Sequence, residues 1–121
     1  MEKISLSEGF ASFDEHWSPR LADECNGQAV KFAKAAGEFV WHSHEDADEL
    51  FLVVSGRLRI EFRDEPDVVL DEGELLTVPR GVEHRPVAET EVEMLLFEPA
   101  DTRNTGNADT EETVTELERL Q

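Results

Sequence analysis

The 121-residue chain has no tyrosine, a single cysteine and only three lysines. Without tyrosine, any mechanism that relies on a phenolate base is excluded. Cys25 has no partner for an intramolecular disulfide, and one thiol without a second sulfur ligand makes a poor structural zinc site. It reads as a small strand residue rather than a nucleophile. A membrane-spanning helix needs roughly 18 or more consecutive apolar residues, and no run approaches that length. The opening Met1-Glu2-Lys3-Ile4-Ser5 lacks the charged and apolar regions of a signal peptide. The expectation is a soluble, cytoplasmic protein with no membrane partner.

Positive charge is scarce as well. Eleven Lys and Arg stand against 29 Asp and Glu, a formal net charge of -18. Such a field repels phosphate backbones, whose recognition depends on clustered basic side chains, so nucleic acid is not expected as a partner. Carboxylates spread along the whole chain fit a surface kept soluble at high salt, where screening limits repulsion to a few Å. We hypothesise a halophilic source on this ground, with a melting temperature that rises from low to molar salt as the test.

What is present reads mostly as strands. Ser5-Leu6-Ser7-Glu8 has the pattern of a capping box, and Leu6, Phe10, Phe13 and Trp17 follow at near-helical spacing. A short helix ending before Pro19 is predicted, its aromatic stripe taken as core rather than as the cover of a pocket. His16, flanked by polar residues, is expected in solvent. Asn26-Gly27 between two strand-like runs signals a tight hairpin. Short β-like runs then cover 38–44, 49–55, 57–63, 68–70, 75–78 and 93–98, separated by Gly37, Gly56, Asp64-Glu65-Pro66-Asp67, Asp71-Glu72-Gly73 and Pro79-Arg80-Gly81.

In Arg57-Leu58-Arg59-Ile60-Glu61-Phe62-Arg63 the alternation sends Leu58, Ile60 and Phe62 to one face. The arginines read as an ion-pair ladder on the other. The expected class is all-β, an antiparallel barrel or sandwich with short terminal helices. Residues 1–29 are read as an N-terminal helix and edge hairpin strand, 30–100 as the barrel, and 101–121 as a polar linker and short C-terminal segment. A cap at Asp109 with Val114, Leu117 and Leu120 suits a helix in that segment.

His42 and His44, at i and i+2, share one face if they lie on a strand. Glu49 starts the next run, and the turn through Glu45-Asp46-Ala47-Asp48 brings its carboxylate beside them. His84 follows the turn at Pro79-Arg80-Gly81 and supplies a fourth donor. Three imidazoles and a carboxylate suit Mn, Fe, Ni, Co or Zn and leave open positions on a five- or six-coordinate ion.

The spacing Gly37-x4-His42-x-His44-x4-Glu49-x6-Gly56 followed by Gly73-x5-Pro79-x-Gly81-x2-His84 resembles the two motifs of the cupin superfamily, over roughly residues 37 to 88. The resemblance implies a jelly-roll β-barrel with one divalent metal held by His42, His44, Glu49 and His84. The chain departs from the pattern in having four residues rather than five between Gly37 and His42, and Ala88 where the family usually has Asn.

The resemblance spans isomerases, dioxygenases, decarboxylases, lyases and non-catalytic binders, and fold does not choose among them. Beyond the ligands, proton-transfer candidates are Glu38, Lys31 and Lys34, each read as a surface residue. Phosphorylated substrates are disfavoured unless Arg80 or Arg85 points inward. The sequence reading is a metal-dependent enzyme acting on a small polyol, keto or carboxylate compound, with a non-catalytic binding or sensing barrel as the alternative. The catalytic residues are unknown. Limited internal volume and apolar terminal segments point to a homodimer.

Overall fold

Period-2 alternation and closely spaced turn residues make strands the natural state of this chain. The computed structural model describes residues 1–108, 113, 114 and 117–120. In chain order the elements are α1 (Leu6–Ala11), β1 (Arg20–Cys25), β2 (Gln28–Glu38), β3 (Glu49–Ser55), β4 (Leu58–Phe62), β5 (Val68–Leu70), β6 (Leu75–Val78), β7 (His84–Pro99) and β8 (Glu118–Arg119). The strands form one sheet with the order β5-β4-β7-β2-β1-β8, and β3 joins both β6 and β7. The fold is mostly β, and the pairings among the described residues do not close the sheet into a ring.

The long strand β7 organises the rest. One edge pairs antiparallel with β2 from Val87 to Pro99. The other edge takes β4 along its first residues and β3 along its last. Two smaller strand groups thus meet on one backbone. Inward alternation places Ala33 and Ala35 of β2, Phe51 and Val53 of β3, Leu58 and Ile60 of β4 and Val92, Met94 and Leu96 of β7 in a single core. Ala88, standing where the motif usually has Asn, is fully buried in that core.

The expected hairpin forms at Asn26-Gly27, both residues with positive φ, and pairs Cys25 with Gln28. Cys25 is a strand residue and exposed. Ser5 caps α1 by accepting a hydrogen bond from the Glu8 amide. The helix is shorter than the aromatic stripe suggested, ending at Ala11. Phe10 and Phe13 pack with Phe32 on the outer face of β2 as core, whereas Trp17 lies beyond the helix with φ 58°. His16 is half-exposed, its Nε2 at 2.7 Å from the Glu91 carboxylate.

Two expectations are corrected. The run 38–44 is not a continuous strand: β2 ends at Glu38, and the segment beyond it touches β7 through separate hydrogen bonds. The C-terminal helix is replaced, over Glu118–Arg119, by a strand parallel to Arg20 and Leu21. Leu120 donates its amide to the Leu21 carbonyl, so the open edge of β1 captures the chain. The cap expected at Asp109 lies outside the described residues.

Candidate metal centre

The two halves of the site meet through the backbone. His42 and His84 exchange reciprocal amide-to-carbonyl hydrogen bonds of 3.0 and 2.9 Å. The Gly81 amide donates to the His44 carbonyl at 2.8 Å from a residue with φ 79°, a conformation that favours glycine. Asp48 secures the same turn by accepting the Arg80 amide at 2.9 Å. The two sequence motifs are therefore hydrogen-bonded across from one another, and Glu49 enters as the first residue of β3.

His42, His44, Glu49 and His84 are all buried, and their donor atoms lie within 4.8 Å of one another. The Glu49 carboxylate lies 3.2 Å from His44 Nε2 and 3.5 Å from His84 Nε2. His42 Nδ1 is 2.9 Å from the Val40 carbonyl, and His84 Nδ1 is 2.9 Å from the Val82 carbonyl. A carbonyl oxygen can only accept, so each Nδ1 carries the proton and each Nε2 keeps a lone pair. Fixing a ring through its distal nitrogen is how metal-binding histidines are oriented. His84 Nε2 is buried without a hydrogen-bond partner, an arrangement that is costly unless a further group meets it. By donor type, orientation and this orphaned nitrogen, the residues fit a divalent transition metal.

The electrostatics agree. Burial, with repulsion from His84, lowers the His42 pKa to about 4, so the ring is neutral near pH 7. Burial alone would raise the Glu49 carboxyl, but hydrogen bonds from the surrounding groups, His44 foremost, outweigh it and hold Glu49 well below the usual range. A neutral imidazole at His42 and an ionised carboxylate at Glu49 are protonation states that bind metals.

A cavity of about 30 Å³ adjoins His42 and Glu49, room for a water or two. Its walls are mostly apolar, formed by Trp17, Phe39, Phe51, Met94 and Leu96 with Asn104 at one side, and the Trp17 and Phe39 rings stack at 4.6 Å. Among the described residues, the ionisable groups that line it are His42 and Glu49.

A profile of the family described as Cupin domain matches residues 29–98, more than half of the chain. The chain belongs to the cupin family. A cupin-2 domain containing protein from Shewanella frigidimarina NCIMB 400 is similar to this cupin, with 45% identity and a TM-score of 0.77 over 79% of this chain and 93% of that one. The uncharacterized protein YdbB of Bacillus subtilis (strain 168) is 44% identical over 62 residues, 51% of this chain and 55% of YdbB, so the match spans about half of that relative. Hydroquinone 1,2-dioxygenase from Sphingomonas sp. TTNP3, solved with 4-hydroxybenzoate bound, resembles this cupin in fold alone, at 19% identity and a TM-score of 0.66 over 74% of this chain and 70% of that one.

Several residues fall elsewhere than the sequence reading put them. Glu38 is exposed and paired with Arg85, whereas Lys31 and Lys34, read as surface residues, are both buried. Lys34 Nζ donates to the Phe13 carbonyl on the outer face of β2. Lys31 Nζ lies inside, 2.9 Å from Glu98 Oε1. Strand parity carried the signal: Lys31 alternates with Ala29, Ala33 and Ala35, and Glu98 with Val92, Met94 and Leu96. Arg80 and Arg85 do not turn inward, being engaged by Asp48 and by Glu38 and Glu61.

The supposed linker also packs on the site. Asn107 accepts the Ser43 amide with its side chain and donates its own amide to the Ser43 carbonyl, both at 2.9 Å. A Cβ on Gly106 would collide with that carbonyl. Residues 104–107 therefore strap down the segment that carries two of the donors.

Proposed function

We propose that this cupin holds one divalent transition metal (Mn, Fe, Ni, Co or Zn) through His42, His44, Glu49 and His84, within a jelly-roll barrel carried by residues 30–100. The observation that supports this best is the convergence of four buried donors from two separate motifs, one of them a histidine nitrogen left without a hydrogen bond. Bound there, such an ion would supply Lewis acidity, or redox chemistry if it is iron. The chain's own part is to fix the donors: the Val40 and Val82 carbonyls orient two rings, and Asn107 holds the Ser43 backbone between His42 and His44.

The reading extends to an enzyme acting on a small polyol, keto or carboxylate compound. The dioxygenase name of the Sphingomonas protein is compatible with the iron case. The competing reading, a binding or sensing module, draws on the lack of any acid or base in the cavity beyond the donors themselves.

Elemental analysis of protein purified without a metal-affinity tag should find about one metal per chain, lost in a His42→Ala, His44→Ala variant. No metal in either form would overturn the assignment. Metal-dependent turnover on a panel of small carbonyl compounds, lost in His84→Ala, would favour the enzyme; tight binding without turnover would favour the module. The homodimer remains part of the proposal, supported by Val69, Leu75 and Phe97 standing exposed. Light scattering that returns a monomer mass at every concentration would exclude it.

A further inference from the structure

Lys31 and Glu98 are both essentially inaccessible, with side chains 3% and 1% exposed and their charged ends 2.9 Å apart. Lys31 also donates to the Thr102 carbonyl at 3.1 Å, at the start of the strap. Neither residue lines the apolar cavity. Their positions follow from register. The β2–β7 ladder pairs Ala29 with Glu98 and Lys31 with Leu96, so lysine and glutamate are diagonal neighbours on the inward face. The β3–β7 ladder pairs Leu50 with Phe97, so Glu49 and Glu98 are the chain neighbours of that rung on adjacent strands. Glu49 and Glu98 are both buried, at 3% and 1% exposure. The second oxygen of Glu98 is buried without a hydrogen-bond partner.

A buried lysine–carboxylate pair is poor value as a stabiliser, because desolvation offsets most of its attraction and apolar residues of like size commonly do as well or better. The place of this pair is more telling. It forms a row from the Thr102 carbonyl through Lys31 to Glu98, on the strand beside the one that begins with Glu49.

We infer that Lys31 and Glu98 are positioning residues, which hold the Glu49 carboxylate in the orientation that the metal site requires. The inference rests on the metal reading above. Glu98 limits where the Glu49 carboxylate can rotate, and Lys31 fixes Glu98 while tying it to the strap. Pairs that support a ligand in this way typically alter metal affinity by ten- to a hundred-fold when removed.

The test is a Lys31→Met, Glu98→Leu double variant, with Glu98→Gln as a milder second variant that keeps the side-chain shape. Three quantities are read for each: the melting temperature without metal, the dissociation constant for Co²⁺, and the visible absorption spectrum of the Co²⁺ form. The double variant should melt no lower than the parent without metal, bind Co²⁺ at least about ten-fold more weakly, and show a shifted spectrum. Glu98→Gln should shift the spectrum in the same direction with a smaller loss of affinity. Parent-like affinity and spectrum in the folded double variant would overturn the positioning role and leave the metal site standing. If the double variant does not fold, a parent-like spectrum and affinity in Glu98→Gln would overturn it equally. Failure of the parent protein itself to bind Co²⁺, Fe²⁺, Mn²⁺, Ni²⁺ or Zn²⁺ would overturn the metal reading and this inference with it.

Discussion

Two regions of this cupin carry paired charges with similar geometry and opposite surroundings. On the outer face of β4 and its flanks, Arg57 meets Asp71 at 2.6 Å, Arg59 is shared among Glu61, Asp67 and Glu89, and Arg63 meets Glu83 while its guanidinium lies over Trp41. In the interior, Lys31 meets Glu98 at 2.9 Å. The Arg57 and Asp71 side chains are 71% and 55% exposed, against 3% and 1% for the inner pair. Contact distance is thus a poor guide to what a pair of charges does. Water can replace either partner outside, and nothing replaces them inside.

Experiments that sharpen this contrast begin with the metal donors, where the largest effect is expected. Glu49→Ala or His44→Ala should abolish stoichiometric metal uptake, measured by elemental analysis; wild-type occupancy in both would remove the functional meaning of the inner region.

The next effect is in the pH dependence of the metal-free protein. His42 has a folded pKa of about 4 against an ordinary value of 6.5. Below pH 6.5 the unfolded chain takes up a proton that the folded one refuses, so stability falls as pH drops from 6.5 to about 4 and levels off below. The loss from this group is about 3 kcal/mol, to be read from denaturant titrations across that window. A flat profile would show that the ring is solvated after all.

Lys31→Met alone should cost about 3 kcal/mol, because it takes the hydrogen bond and the opposing charge away from the buried Glu98 carboxyl. Arg57→Met should cost less than about 1 kcal/mol. Equal losses in the two variants, measured by the same unfolding assay, would break the comparison. Between those two in size we place the response to salt. With a net charge of -18, screening relieves repulsion over the whole surface while weakening the outer arginine pairs. A melting temperature that rises toward molar salt would show that global repulsion outweighs the ladder; no rise would count against a halophilic source.

Much of this contrast was legible beforehand, and the failures have physical causes. The bounds of β3, β5 and β6 follow from alternation and flanking turns, and the four donors from spacing between two turn-rich motifs. Leu58 and Ile60 went inward as their parity required. The first half of β7 was missed because Pro86 cannot donate to a ladder and Glu89-Thr90-Glu91 reads as a polar turn. Pro86 nevertheless stands in the ladder opposite Ile60, and its carbonyl accepts the Phe39 amide.

Lys31 and Glu98 were missed for another reason: charge was taken to mean solvent, although the alternation around each pointed inward. The C-terminal segment shows the limit of local pattern. Val114, Leu117 and Leu120 have helical spacing, yet at Glu118–Arg119 the unpaired edge of β1 supplies hydrogen bonds that a solitary helix turn cannot match. Polar composition likewise made residues 101–107 look like a tether, when Asn104 and Asn107 spend their side chains on backbone contacts.

That strap has a bearing on how the protein is made. The chain leaves the ribosome from its N-terminus, so the His42–His44 segment emerges well before His84, and residues 104–107 emerge later still. Until Asn107 reaches Ser43, the two early histidines have no clamp on the backbone between them. On the metal reading proposed above, the nascent chain would have the backbone between its first two donors unclamped until residue 107 is in place.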